Sequence, residues 1–313
     1  MTQLLQPSHI AEILPLWERF YPSRYHVTPE CFHSHTFGSP VFDWGASQVL
    51  VEDGRVVAFA TVKKPASPTL YAGGDPDRYH LQSIGFEKPM YGGLLLDEVI
   101  RTIRSRGARE LVFGQDSLHF FPGCPTDCCE LAGFLNLSNF EKIGETYDLE
   151  GDLSAYEYPA QYRPDDGAEY RRCSESDLGD VFDFFAQEFP LRWNYDIRAK
   201  IELEGPNTIF GLFYGGKCHG FALLQDHRDC HLPIGGAVWQ SDLGAAWGSL
   251  GPIGVSKAVR GKKFGHGLLG NALLDLKARG VTRTIIDWTN LFDFYGPHGF
   301  TKARTYTTYS LVL

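Results

Sequence analysis

Apolar and polar positions along this chain fall into two successive sets of strand-like and helix-like segments. In the second half, Leu250 to Val255 is apolar and bounded by glycines, the pattern of a strand. Lys257 to Gly265 is basic and glycine-punctuated, the pattern of a loop. From His266 onward, Leu268, Leu269, Ala272, Leu273 and Leu276 share one helical face. Upstream, Ser174 is placed to cap a helix carrying Leu178, Val181, Phe182 and Phe185, and a second helix runs near Trp193 to Leu203. Ile209 to Tyr214 and Gly220 to Gln225 form a hairpin over Gly215-Gly216. Lys302 to Leu313 alternates as a closing strand.

The first half repeats this order. Ser8 precedes a helix through Ile10, Ile13, Leu14, Trp17 and Phe20, and Asp53-Gly54 turns a hairpin between Gln48–Glu52 and Val56–Val62. His80 to Phe86 reads as a strand. The stripe Leu95, Leu96, Val99, Ile100 and Ile103 then reads as a helix. At an offset of 173 residues this stripe falls on Leu268, Leu269, Ala272, Leu273 and Leu276, Arg106-Gly107 falls on Arg279-Gly280, and Gly92 falls on Gly265. The chain is therefore expected to hold two copies of one domain.

A strand, a cationic glycine loop and a helix start together make an anion site. The first helical turn has unpaired N–H groups and positive dipole charge, and Arg260, Lys262 and Lys263 add full charges. A pyrophosphate fits. Gly265, Gly267 and Gly270 spell the dinucleotide fingerprint, with Asp287 downstream as a ribose contact. Against a nicotinamide oxidoreductase, a basic run separates strand from glycines, and little chain follows Asp287 to build further strand–helix–strand units.

The segment Val255 to Leu269 resembles the cofactor loop of the GNAT superfamily, the acyl-CoA-dependent N-acyltransferases. Val255, Arg260, Gly261, Lys262, Gly265, Leu268 and Leu269 match its pattern in order. Lys263 departs from it, standing where the first motif glycine usually sits. Downstream, Tyr295, Gly299 and Phe300 match the family's Y-x-x-x-G-F ending. The resemblance implies an α/β fold (α+β mixed sheet) of two tandem GNAT-type domains, each a mixed central sheet flanked by helices. It implies acetyl-CoA as cofactor, with Arg260, Gly261, Lys262, Lys263, Phe264, Gly265, His266 and Gly267 at its pyrophosphate. Ile253, Gly254 and Val255 would lie along the pantetheine arm, with Asn290 a further contact. Tyr295 would protonate the thiolate, its ordinary pKa of about 10 lying above that of a thiol. Asp287, Asp226, His227 and His231 are candidate bases, Asp287 because it ends a strand beside the helix of Tyr295. The expected activity is direct N-acetyl transfer to a primary amine of a small acceptor. The acceptor stays open among amino sugars, polyamines, aminoglycosides, peptide amines and small thiol-bearing metabolites. A non-catalytic acyl-CoA sensor is the alternative.

The first copy lacks this chemistry. Phe86 to Gly93 reads as a short loop with no Arg-Gly start, and Pro89 removes a donor. Leu135, in Phe134 to Phe140, stands where the acid tyrosine should be. A degenerate, non-catalytic domain is expected over 1–150, a polar linker over 151–166 and the acetyl-CoA-binding domain over 167–313. Glu188, Arg192 and Trp193 are candidate acceptor contacts, and the long stretch Asp226 to Trp247 is placed to cover the acceptor. Gln115 to Pro125, whose Asp116, His119 and Phe120 could line an acceptor pocket, is expected instead as a surface turn anchored by two buried Phe side chains, and His33 and His35 as surface residues rather than metal ligands.

Composition changes little. The 313 residues are 43% hydrophobic and 21% charged, which is globular. A net charge of −9 disfavours a nucleic-acid partner and suits an amine. Seven scattered cysteines without a C-x-x-C pair suggest reduced thiols in a cytoplasm, no metal site and no disulfide framework. No signal or membrane span is read, and monomer and homodimer stay equally open.

Overall fold

A computed structural model describes residues 1–65, 67, 75–164 and 167–313. They form two compact units. One holds the described residues of 1–147 together with 304–313, and the other those of 148–303.

The first unit contains β1 (Thr2–Leu4), α1 (Ile10–Phe20), α2 (Pro29–His35), β2 (Gln48–Glu52), β3 (Arg55–Lys63), β4 (Arg78–Phe86), α3 (Pro89–Arg104), β5 (Glu110–Phe113), β6 (Cys124–Pro125) and α4 (Cys129–Leu137). The strand β7 (Glu141–Asp152) begins in it and ends in the second unit. The second unit continues with β8 (Glu169–Arg172), α5 (Leu178–Glu188), α6 (Arg192–Glu204), β9 (Ile209–Tyr214), β10 (Lys217–Asp226), α7 (Gln240–Leu243), β11 (Trp247–Val255), α8 (Phe264–Ala278), β12 (Arg283–Thr289) and α9 (Phe292–Tyr295); β13 (Thr301–Val312) closes the chain.

The internal repeat is real in three dimensions. In the first unit β2, β3 and β4 are successively antiparallel and β4 is parallel to β5. In the second, β9, β10 and β11 are successively antiparallel and β11 is parallel to β12. Left-handed backbone recurs at the same offset: Gly107 (φ 88°) matches Gly280 (φ 86°), and Gln115 (φ 63°) matches Trp288 (φ 47°). Asn139 (φ 63°) ends α4 four residues after Leu135, as Gly299 (φ 88°) stands four residues after Tyr295.

Several expectations are corrected. The closing strand was expected in the second domain, yet β13 pairs with β5 through Ser310↔Val112 and Leu311↔Leu111, so residues 304–313 belong to the first unit. The linker expected over 151–166 is not separate: β7 runs to Asp152, and the described residues of 151–166 belong to the second unit, with Tyr156 and Tyr158 buried; Asp165 and Asp166 lie outside the described residues. Phe86 to Gly93 is not a loop, because α3 starts at Pro89, whose missing N–H is harmless in a first turn. His35 is buried, with Nδ1 3.0 Å from Leu118 O and its ring stacked on Phe120. Asp116 and His119 are buried too, rather than on a surface turn, although Phe120 and Phe121 do anchor the segment.

In the second unit α5 and α6 bury Val181, Phe184, Phe185, Ile197 and Ile201 against Phe213, Phe221 and Leu223 of β9 and β10. The helix α8 packs on β8 to β11 through Leu268, Leu269, Ala272, Leu273 and Leu276, the stripe read from the sequence.

Candidate functional site

The site begins where β11 and β12 part. Their parallel pairing runs from Trp247↔Arg283 to Ser249↔Ile285, and β11 then continues to Val255. On the other edge, Ser256 N–H donates to His219 O at 2.8 Å. In an antiparallel ladder hydrogen-bonded pairs alternate with non-bonded ones. Phe221↔Gly254 is therefore bonded, whereas Ala222↔Ile253 and Gly220↔Val255 turn their N–H and C=O away from β10. The backbone of Ile253 and Val255 faces the slot left by β12, and that of Gly254 does not. This divides the expected pantetheine contacts.

In the first unit the same slot is filled from within. Glu87 N–H donates to Val57 O, so Ile84, by the same alternation, faces away from β3. Counted from the first paired residue of each strand (Arg78↔Glu110 and Trp247↔Arg283), Ile84 is the counterpart of Ile253. The Tyr21 hydroxyl donates to Ile84 O at 2.7 Å and accepts from Ile84 N–H at 3.2 Å. Tyr21 is buried against Trp17, Phe20 and Phe121, and burial pushes its phenol well up in pKa. Tyr21→Phe strands two buried backbone groups, and we expect it to cost about 1–3 kcal/mol in urea unfolding.

The loop after β11 is held at its root. Ser256 Oγ donates to Glu188 Oε1 at 2.7 Å, and Lys257 N–H donates to Glu188 Oε2 at 3.3 Å. The Ser256 bond is the main reason the Glu188 carboxyl lies below its usual pKa. Glu188, expected to touch the acceptor, thus anchors the loop. Arg260, Gly261, Lys262 and Lys263 are exposed. Lys263 sits at φ 60° as the cap of α8, which explains why glycine suits this position and why lysine occupies it at a cost of about 1–2 kcal/mol. Gly267 N–H makes a bond to Lys263 O at 2.9 Å, so the N–H groups of Phe264, Gly265 and His266 precede the helical ladder.

The counterpart loop is short. Helix and following strand repeat at 173 residues, but the strand before repeats at 169 (Arg78 to Trp247), so the first unit lacks four loop residues. Only Glu87 and Lys88 separate β4 from α3.

The glycine fingerprint has a packing explanation. A β-carbon on Gly267 would fall 2.2 Å from Tyr170 Oη, and one on Gly270 2.5 Å from the Tyr158 ring. Only Gly265 has ordinary room, 3.5 Å from Phe294. Close approach to tyrosines, not to a dinucleotide, explains two of the three glycines.

Asp287 lies two residues past the last β11–β12 pair, beside the slot. A β-carbon on Gly251 would be 3.5 Å from its Oδ1, and one on Gly235 2.9 Å from its Oδ2. The stretch after β10 thus folds Gly235 and Gly236 onto Asp287. The other candidate bases lie at the start of β11, the end away from the slot. Asp226 is buried, pairs with Arg279 at 2.6 Å and sits opposite Gly248; burial raises its pKa, but the Arg279 bonds and the Arg228 N–H bring it below normal. His227 Nδ1 is 3.3 Å from Trp247 O, and exposed His231 donates its backbone N–H to Glu204.

Tyr295 closes α9 and is only 4% exposed, packed against Phe294 and Phe300. Burial, then the Asp287 carboxylate, pushes its phenol above the usual range. Asn290 is exposed just past β12. On the α5–α6 side, Phe189 packs on Gly254 and on Trp193, while the Arg192 guanidinium pairs with Asp196 and lies 5.3 Å from the Trp288 ring centre. Sequence reasoning passed over Trp288. Its left-handed backbone is supported by its N–H bond to the buried Asp148 carboxylate at 3.1 Å. Nothing in the local pattern D-W-T-N marks that turn.

Neither a family model nor any curated protein matches this sequence. Solved structures do match its fold. The glucosamine N-acetyltransferase region of a fungal multi-domain GH3 β-N-acetylglucosaminidase aligns with a TM-score of 0.85 at 20% identity. The alignment covers 99% of this chain but 38% of that longer one. A GCN5-related N-acetyltransferase from Sphaerobacter thermophilus aligns over 100% of this chain and 95% of its own, with a TM-score of 0.69 at 14% identity. These likenesses define the class of fold, that of the GNAT acetyltransferases. The arrangement is more particular: a tandem GNAT protein from the clavulanic acid biosynthesis pathway covers 100% of this chain and 98% of its own, at a TM-score of 0.68 and 14% identity. The chain has the tandem GNAT fold. Among the described residues no helix is long and apolar enough to cross a membrane.

Proposed function

We propose that the second unit is an N-acetyltransferase that moves an acetyl group from acetyl-CoA directly to a primary amine of a small acceptor. The observation that carries this reading is the continuity of the site. An open strand edge at Ile253 and Val255 leads into an exposed cationic turn and the free N–H groups of α8. The residues present fit the cofactor. Arg260, Lys262, Lys263 and the first turn of α8 would hold its diphosphate, and the edge of β11 its amide-bearing arm. When bound, acetyl-CoA supplies a thioester open to attack by an amine.

The chain's own groups then move the protons. Asp287 takes the proton the amine sheds as its nitrogen bonds to the acetyl carbon. Tyr295 gives its phenolic proton to the sulfur as the carbon–sulfur bond breaks. The Ile253 and Val255 N–H groups stabilise charge growing on the carbonyl oxygen. The first unit, with Tyr21 in its slot and four fewer loop residues, is a non-catalytic partner in this reading. Because one fold neighbour is described as a glucosamine N-acetyltransferase region, amino sugars are the first acceptors to test.

The test is titration with CoA, followed by thiol release from acetyl-CoA across an amine panel. Binding that vanishes in Arg260→Glu with Lys262→Glu, and turnover with at least one amine, support the reading. CoA binding indifferent to those changes, or NADH binding lost in Asp287→Ala, overturns it. CoA binding with no turnover on any amine would leave a sensor in place of an enzyme.

A further inference from the structure

At the start of α8 lies a chain of three polar side chains that the transfer chemistry does not use. His266 Nδ1 is 3.2 Å from His298 Nε2, and His298 Nδ1 is 2.7 Å from Tyr156 Oη. His298 and Tyr156 are buried, at 3% and 8% exposure, while His266 is half-buried. The His266 ring is held between Tyr162 at 4.3 Å and Phe294 at 4.8 Å. Its Nε2 has no protein partner among the described residues. His266 is the third residue of α8, and helical side chains lean toward the N-terminus, so the ring leans over the turn with the free N–H groups.

Donor accounting leaves two orders for this chain. In one, Tyr156 O–H donates to His298 Nδ1, His298 Nε2–H donates to His266 Nδ1, and His266 carries its proton on Nε2. In the other every bond reverses, and Nε2 is a bare acceptor. Only the first, or a doubly protonated ring, offers a donor to an anion. The surroundings oppose the doubly protonated ring. Burial lowers the pKa of His266, and burial together with His266 brings His298 down to about 4. The groups around the ring are His298, Tyr156 behind it, Tyr162, Tyr158 (whose hydroxyl donates to His266 O) and Arg163 beside Tyr158, with Lys262 and Lys263 on the turn before. Among the described residues around the ring several are cationic, and none is a carboxylate.

We propose that the Tyr156–His298 chain sets the tautomer of His266, so that its side chain, neutral and donating from Nε2–H, joins the backbone of this turn in holding the diphosphate. His298 and Tyr156 are positioning residues. The same pair ties the turn to the segment that carries Tyr295, three positions before His298 and four before Gly299. The inference rests on the acyl-CoA reading of this site.

The experiment compares CoA with pantetheine, which lacks the diphosphate, by calorimetry between pH 6 and 9. Loss of a hydrogen bond to a charged group should weaken CoA about tenfold in His266→Leu and leave pantetheine unmoved. His298→Leu should do nearly the same. His298→Gln, whose amide can accept from Tyr156 and donate to His266, should restore most of the affinity. Nitrogen NMR should show His266 protonated at Nε2 alone once CoA is bound, with no proton uptake. Uptake approaching one proton, or equal affinity in the Leu and Gln variants of His298, would overturn the proposal. If the unaltered protein binds no CoA, the acyl-CoA reading itself fails, a result distinct from either of these.

Discussion

Tyr295→Phe will lower turnover with acetyl-CoA by about 10²–10⁴-fold, the range for losing a general acid, while CoA affinity stays within about threefold. The ring is almost wholly enclosed, so phenylalanine fills the same space and only the hydroxyl is lost. Burial, and after it the Asp287 carboxylate, keeps the phenol protonated above the usual tyrosine range. A raised acid keeps its proton through neutral and mildly alkaline pH, so the activity profile should show no tyrosine limb below about pH 10. Asp287→Asn removes the charge that helps raise Tyr295, and any tyrosine limb should move to lower pH. If Tyr295→Phe kept more than a tenth of the turnover, with melting unchanged, the proton would have to come from elsewhere.

The parts of this molecule legible in its sequence are those fixed by local pattern. The stripe of α8, the basic turn before it and the repeat at 173 residues each follow from spacing alone. The resemblance to the GNAT loop marked position 263 as one where glycine usually sits, and φ 60° supplies the cause. Other features depend on partners distant in the chain. The alternation of β13 announces a strand, but nothing in it says that its partner is β5 rather than a strand of its own half. Glu188 stood in the sequence as a candidate acceptor contact, and only the fold brings Ser256 to it. The plug in the first slot is a tyrosine 63 residues from the isoleucine it caps. The sequence showed the missing loop residues, but not that a side chain had taken the empty place.

Asp116→Ala should destabilise the first unit by about 3–5 kcal/mol, the range for stranding one member of a buried ion pair. Lys63 and Asp116 have side-chain exposures of 0% and 1%, with Nζ 2.7 Å from Oδ2. The ammonium also donates to Ser117 O at 2.5 Å and Leu118 O at 3.0 Å, so it holds a turn in which Gln115 and Leu118 are both left-handed. Burial alone would raise the Asp116 pKa. The Lys63 charge, with His80, the Lys63 bond and His119, outweighs it and leaves the carboxyl below normal. A depressed carboxyl adds stability that is present above the unfolded value of about 3.9 and lost as pH falls through the folded one. Urea unfolding at pH 7 should therefore show the full loss in Asp116→Ala, and the gap from the unaltered protein should close only well below pH 4. The double change Lys63→Met with Asp116→Leu should recover most of the stability, because it removes both charges where the single change strands one. Were the double variant as unstable as the single, the pair would matter for holding the left-handed turn rather than for neutralising charge.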